Sequence, residues 1–160
     1  EAHEASEAEN EESEEGENSE ASPQKLVLGA SSIIAHSNNF ANETEADNLF
    51  DGCVTDVTEC VTEAGAPSYW VEIDLGDTYQ LAKARIYGDS AGSWHSRTWK
   101  MQTRGYQQST YSTVFSGKNA FGTKWFEEEF EISARYVKVY VYGTEGSNKT
   151  QAMELELYGN

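Results

Sequence analysis

The 160-residue sequence is poor in cations, cysteines and prolines. Eleven Lys and Arg stand against 28 Asp and Glu, a formal net charge of −17. So few cations leave no general basic surface to neutralise phosphates, which argues against nucleic acid as a partner and against electrostatic attachment to an anionic membrane. No run of about 18 or more apolar residues occurs, so no membrane span is expected. There is no initiating Met and no signal peptide, which reads as a processed product or a piece of a longer protein. The only histidines are His3, His36 and His95, and no GxSxG nucleophile elbow is present. A glycosidase would need two carboxylates across a cleft, which loops this short rarely enclose. The chain is therefore not expected to be an enzyme. What it does contain is apolar material: 38 % hydrophobic and 12 % aromatic residues, with 4 Trp, 9 Tyr and 6 Phe. That is enough for one core and excludes full disorder.

The charge is concentrated at the start. Residues 1–24 hold ten Glu and no Lys or Arg, which leaves 18 acidic and 11 basic residues for the remainder, a net of −7. The first segment has no apolar periodicity and repels itself, so it cannot offset the entropy of ordering. It reads as a disordered acidic linker over 1–24, followed by one domain over 25–160. A linker implies a covalently attached partner, most simply a catalytic domain.

From Lys25 onward the pattern is short alternation. Val71, Ile73 and Leu75 share a face opposite Trp70, Glu72 and Asp74. Ala84 and Ile86 alternate with Lys83 and Arg85, and Trp99 and Met101 with Lys100 and Gln102. Val137, Val139 and Val141 alternate with Tyr136, Lys138, Tyr140 and Tyr142; Met153, Leu155 and Leu157 alternate with Glu154, Glu156 and Tyr158. Period two predicts half-buried antiparallel strands. Segments 111–115 and 125–130 are two further candidates, and Gly76, Gly88, Gly105, Gly117, Gly122 and Gly143 read as turns. Tyr136, Tyr140 and Tyr142 are expected to cover a sheet face rather than bind a ligand. No convincing amphipathic helix appears, and the whole predicts an all-β sandwich.

The order of five segments then becomes recognisable: Ala46-Asp-Asn-Leu-Phe-Asp-Gly52, Tyr69-Trp-Val-Glu-Ile-Asp-Leu-Gly76, Ala84-Arg-Ile-Tyr-Gly88, Ala134-Arg-Tyr-Val-Lys-Val139 and Met153-Glu-Leu-Glu-Leu-Tyr-Gly159. The domain resembles the discoidin, or coagulation-factor C-type, domain, nearest to the family 32 carbohydrate-binding modules of secreted polysaccharide-degrading enzymes. The resemblance implies an eight-stranded antiparallel jelly roll of the galactose-binding-domain type, without catalysis, binding a polysaccharide or oligosaccharide and targeting an attached enzyme to it. It also implies a secreted, monomeric module. A discoidin-type protein- or lipid-adhesion module is the alternative, and a stand-alone polysaccharide lyase or hydrolase comes after it.

The resemblance further implies one structural Ca2+. Calcium needs six to eight oxygens, which a tight Asp-Gly loop can supply from side chains and carbonyls. The implied ligands are the side chains of Asp51, Asp56 and Glu154 and the carbonyls of Asn48, Cys53 and Met153. Cys53 and Cys60 lie in the same loop. Their spacing does not match the paired CxxC units of a zinc site. In an exported protein they form a disulfide, worth roughly 2–3 kcal/mol in the chain-entropy model; in a cytosolic one they stay as two thiols.

Ligand contacts are expected on loops at one end of the sandwich. The loop 88–97 gathers Asp89, Trp94, His95 and Arg97, and the loop 143–150 adds Asn148 and Lys149. His95, Arg97 and Lys149 together would make a cationic spot suited to a uronate or a sulfated sugar, with alginate as the specific expectation. Val57, Thr58 and Glu59 stand where the resembled modules carry a His and a Trp, which speaks against simple galactose specificity.

Overall fold

The structure is a computed structural model that describes residues 22–37, 45–55, 61–90, 95–145 and 149–160. Residues 1–21, and with them most of the expected linker, lie outside the described residues. Gln24, assigned by composition to the linker, is the first residue of a strand. Helical structure among the described residues is confined to two 3₁₀ turns, Ala30–Ser32 and Glu45–Phe50.

Among the described residues nine strands follow one another: β1 (Gln24–Lys25), β2 (Ile33–His36), β3 (Thr62–Ala64), β4 (Ser68–Tyr87), β5 (Thr98–Arg104), β6 (Ser112–Asn119), β7 (Trp125–Tyr142), β8 (Thr150–Ala152) and β9 (Glu154–Gly159). All pairings are antiparallel. The seven-stranded sheet runs β1-β9-β4-β7-β5-β6, with β2 also on β4, while β3 and β8 form a separate pair. The expected sandwich is therefore present, with nine strands in place of eight. Several of them are only two to four residues long.

The main departure from the sequence reading is continuity. The runs around 71–75 and 84–86 belong to one strand, β4, and the runs 125–130 and 137–141 belong to one strand, β7. These two pair from Ser68↔Tyr142 to Tyr87↔Trp125. Their register shifts between Asp74 and Tyr79, where Gly76 has φ +86° and donates its N–H to Asp74 Oδ1 at 2.8 Å. A positive φ in a bulge is the conformation glycine adopts without a Cβ penalty. Gly76 thus marks a corner within a ribbon rather than a turn between strands. Gly117 likewise lies inside β6.

The two halves of the ribbon have different neighbours. The first half of β4 and the second half of β7 meet β2 and β5, while the second half of β4 meets β9. Val71, Ile73, Leu81, Ile86, Trp99, Met101, Val137, Val139, Leu155 and Leu157 nevertheless belong to one buried cluster. The ribbon is therefore folded over a single core as two packed layers, each strand alternating inward apolar and outward polar residues. Trp99 is fully buried against Phe115, with ring centroids 4.6 Å apart. Trp99→Ala should cost about 3–5 kcal/mol through lost burial and a residual cavity. A shift in the urea midpoint at unchanged slope would report it.

Candidate functional site

The folded ribbon brings both its ends to one end of the sandwich, and a chain of hydrogen bonds ties the loops there. Gly88 N donates to Lys124 O at 3.0 Å, Ala120 N to Arg97 O at 2.9 Å, Arg97 N to Tyr142 O at 2.7 Å and Gly143 N to Pro67 O at 2.8 Å. The hydroxyl of Ser96 is fully buried. It accepts from Asp89 N at 3.0 Å and donates to Ala120 O at 2.6 Å, pinning the loop after β4 to the loop before β7.

The expected ligand residues divide on this frame. Asp89 is wholly buried and His95 is only 8 % exposed, so both belong to the wall of the site rather than its rim. His95 sets its ring edge on Phe121, with centroids 4.8 Å apart at 73°, and its Nδ1 has no hydrogen-bond partner. Arg97 is exposed, and its guanidinium lies 5.0 Å from the centroid of the same Phe121 ring. Lys149 does not stand as a free cation beside them. Its Nζ pairs with Glu63 Oε1 at 2.8 Å, across the short β3–β8 sheet, where Glu63 also accepts from Gln151. Trp94 and Asn148 lie outside the described residues. Sequence reasoning missed Phe121, which is 42 % exposed. Its signal was a lone aromatic between Ala120 and Gly122 in a glycine-punctuated loop.

A second cluster sits where β9 begins. Glu154 is buried, and its Oε2 has no hydrogen-bond partner. Burial, followed by the adjacent Asp51 carboxylate, pushes its pKa up to about 8, against the opposing pull of the Gly52 N–H and Lys25. Gly52 makes the turn with φ +75°, and the neighbouring Cys53 N donates to Asp51 Oδ1 at 2.8 Å. Asn48 spends its amide on Val61 O at 2.9 Å. Among the described residues no group of three or more His, Cys, Asp or Glu gathers, so the described part of the loop offers an ion two carboxylates, Asp51 and Glu154, and main-chain carbonyls. A buried carboxylate with an orphaned oxygen, set beside the exposed carboxylate of Asp51, is what a divalent cation relieves, so the residues fit calcium. Asp56 and Cys60 lie outside the described residues, and no free cysteine occurs among those described.

Comparison with known proteins agrees with this architecture. The model of the F5/8 type C domain family matches residues 30–155. No curated protein sequence matches the chain. Among solved structures, it is similar to chitosan-binding module 1 of a chitosanase/glucanase from Paenibacillus sp. IK-5, at 17 % identity and a TM-score of 0.62, covering 85 % of this chain and 99 % of that one. It is similar to the family 32 carbohydrate-binding module of EndoD from Streptococcus pneumoniae, at 11 % identity and a TM-score of 0.66, covering 86 % and 100 %. A third similar structure is the family 32 module of AlyQ in complex with 4,5-unsaturated mannuronic acid, at 17 % identity and a TM-score of 0.58, covering 78 % and 94 %. Identities this low speak to the fold. No helix among the described residues is long and apolar enough to cross a membrane.

Removing the Ser96 hydroxyl leaves a buried N–H and a buried carbonyl without it. Ser96→Ala should therefore destabilise the domain by about 1–3 kcal/mol, measured by urea unfolding.

Proposed function

The chain belongs to the F5/8 type C domain family, and from that premise we propose that it is a non-catalytic carbohydrate-binding module that holds an attached enzyme at a polysaccharide. The observation that carries this reading is the exposed Phe121 ring with the Arg97 guanidinium beside it and the His95 edge behind it. An aromatic face accepts the C–H face of a sugar, and a guanidinium forks onto hydroxyls or a carboxylate. A cation at the rim of an otherwise acidic molecule favours an acidic glycan such as alginate. Two similar structures, one derived from a chitosanase/glucanase and one bound to an unsaturated uronate, are consistent with it. A lipid-adhesion role finds less support: of the exposed large apolar side chains among the described residues, Val27, Ile34, Tyr106 and Phe121, only Phe121 stands beside Arg97 and His95 at the loop end.

Single-site binding by so open a surface is weak, because a flexible glycan loses entropy on docking. Tethering compensates by raising the local concentration of the attached enzyme on its substrate. A calcium ion held by Asp51, Asp56 and Glu154, with the carbonyls of Asn48, Cys53 and Met153, would tie the loop after the second 3₁₀ turn to β9 and take no part in chemistry. A Cys53–Cys60 disulfide would stiffen the same loop, as suits a secreted, monomeric module.

Arg97→Ala and Phe121→Ala should each weaken retardation in gels containing the recognised glycan by roughly tenfold or more while leaving the melting temperature unchanged. Wild-type retardation in both variants would place recognition elsewhere. Chelation should lower the melting temperature by roughly 5 °C or more and added calcium should restore it. Glu154→Gln should abolish that response; an unchanged melting temperature on chelation of the wild-type protein would refute the ion.

A further inference from the structure

The outer face of the layer formed by β2, the first half of β4, the second half of β7, β5 and β6 differs in charge from the rest of the molecule. Strand register places Trp70, Tyr140 and Lys100 in one row, Glu72, Lys138 and Gln102 in the next, and Asp74, Tyr136 and Arg104 in the third. All nine are half-buried apart from their solvent-facing tips. Glu72 and Asp74 are the only acids of these strand segments, and both are engaged. Asp74 takes Arg135 through two bonds of 2.9 and 3.2 Å, and Glu72 accepts from Tyr111 Oη at 2.6 Å and lies 3.8 Å from Arg104. Lys138, directly across the ladder from Glu72, is therefore left over, and so is Lys100. Among the described residues neither forms an ion pair.

Both ammonium groups rest on rings instead. Lys100 Nζ lies 4.0 Å from the Tyr140 centroid, and Lys138 Nζ 4.2 Å from Trp70 and 5.3 Å from Tyr140. Tyr140 and Tyr142 are parallel within 6°, and Arg104 lies 3.9 Å over Tyr136. A cation over a ring keeps its full charge and its hydrogen-bond donors while losing freedom of its stem. The tyrosines that the sequence reading assigned to covering the sheet thus serve as pedestals for cations.

We infer that this sheet face is a second glycan site, distinct from the loop end, that takes an extended polyanionic polysaccharide carrying carboxylates or sulfates. Charge complementarity selects the occupant. Preorganised cations without carboxylate partners occur on a chain of net charge −17, so a polyanion has this face to approach. The rings flanking the cations suit pyranose C–H faces, and three successive rows along one sheet face suit a long chain better than a chain end. Among the described residues the strands of this face carry one exposed large apolar side chain, Ile34 of β2, and none lies on the three rows; a single such residue is no contiguous apolar patch of the kind a lipid- or protein-docking surface presents.

The test is affinity electrophoresis of the whole chain in gels containing polymannuronate, sodium chloride being the second variable. Lys100→Gln/Lys138→Gln should lose at least tenfold in retardation and show a flatter salt dependence, with an unchanged melting temperature. Arg97→Ala, weakened at the loop end, should keep a residual, salt-sensitive retardation by the long polymer, and adding the two lysine substitutions to it should remove that residue. Retardation equal to wild type in the double lysine variant, or complete loss in Arg97→Ala, would overturn the second site while leaving the loop site standing. Loss in the lysine variant with Arg97→Ala retarded as wild type would support the second site and overturn the loop site. Lysine-dependent pelleting with phosphatidylserine vesicles, without polymannuronate retardation, would assign the face to lipid and overturn the inference.

Discussion

The ladder between β4 and β7 is the constraint on which the other features depend. It joins two long strands over almost their whole length, and its corner at Gly76 turns the ribbon back over its own apolar face. Burial of Val71, Ile73, Val137 and Val139 from one half against Leu81 and Ile86 from the other supplies the main driving force. That closure also delivers Tyr87, Trp125, Ser68 and Tyr142 to one end, where Ser96 stitches the loops together. Without the corner, Arg97 and Phe121 would have no common place to meet.

Much of this was legible from alternation. The inward sets around Val71, Trp99, Val137 and Leu155 are core residues as their period requires. Continuity across the corner was not legible, because a bulge breaks the period of two where the ribbon turns, and a glycine there reads as a terminus. The candidate site was legible only in outline. Its loop could be located, but burial of Asp89 and His95 depends on a hydroxyl seven or fewer positions away and on carbonyls from another loop. The ion pair of Lys149 was not legible because its partner, Glu63, is far away in sequence and adjacent only through the β3–β8 pairing. The apposition of Asp51 and Glu154 is likewise long-range, and only the family resemblance pointed to it.

The same topology gives the molecule a polarity. Glu154 opens β9 opposite Tyr87 at the loop end, and Gly159 closes it opposite both Leu81 and Gln24. Five residue steps of strand separate the two, roughly 17 Å. The Arg97–Phe121 surface is thus held away from the place where the first and last strands meet, and the cation-bearing face runs along the side between them.

That meeting of β1 and β9 has a mechanical meaning. The two strands are antiparallel neighbours with their outer ends at the same corner, joined by two residue pairs, the Leu26 N to Leu157 O bond of 2.8 Å and the Lys25–Glu156 ion pair of 2.9 Å. A load pulling those ends apart acts in the unzipping direction and loads the rungs one after another. The edge strand would peel first, dissipating the force before it reached the ribbon or the loops that Ser96 ties together.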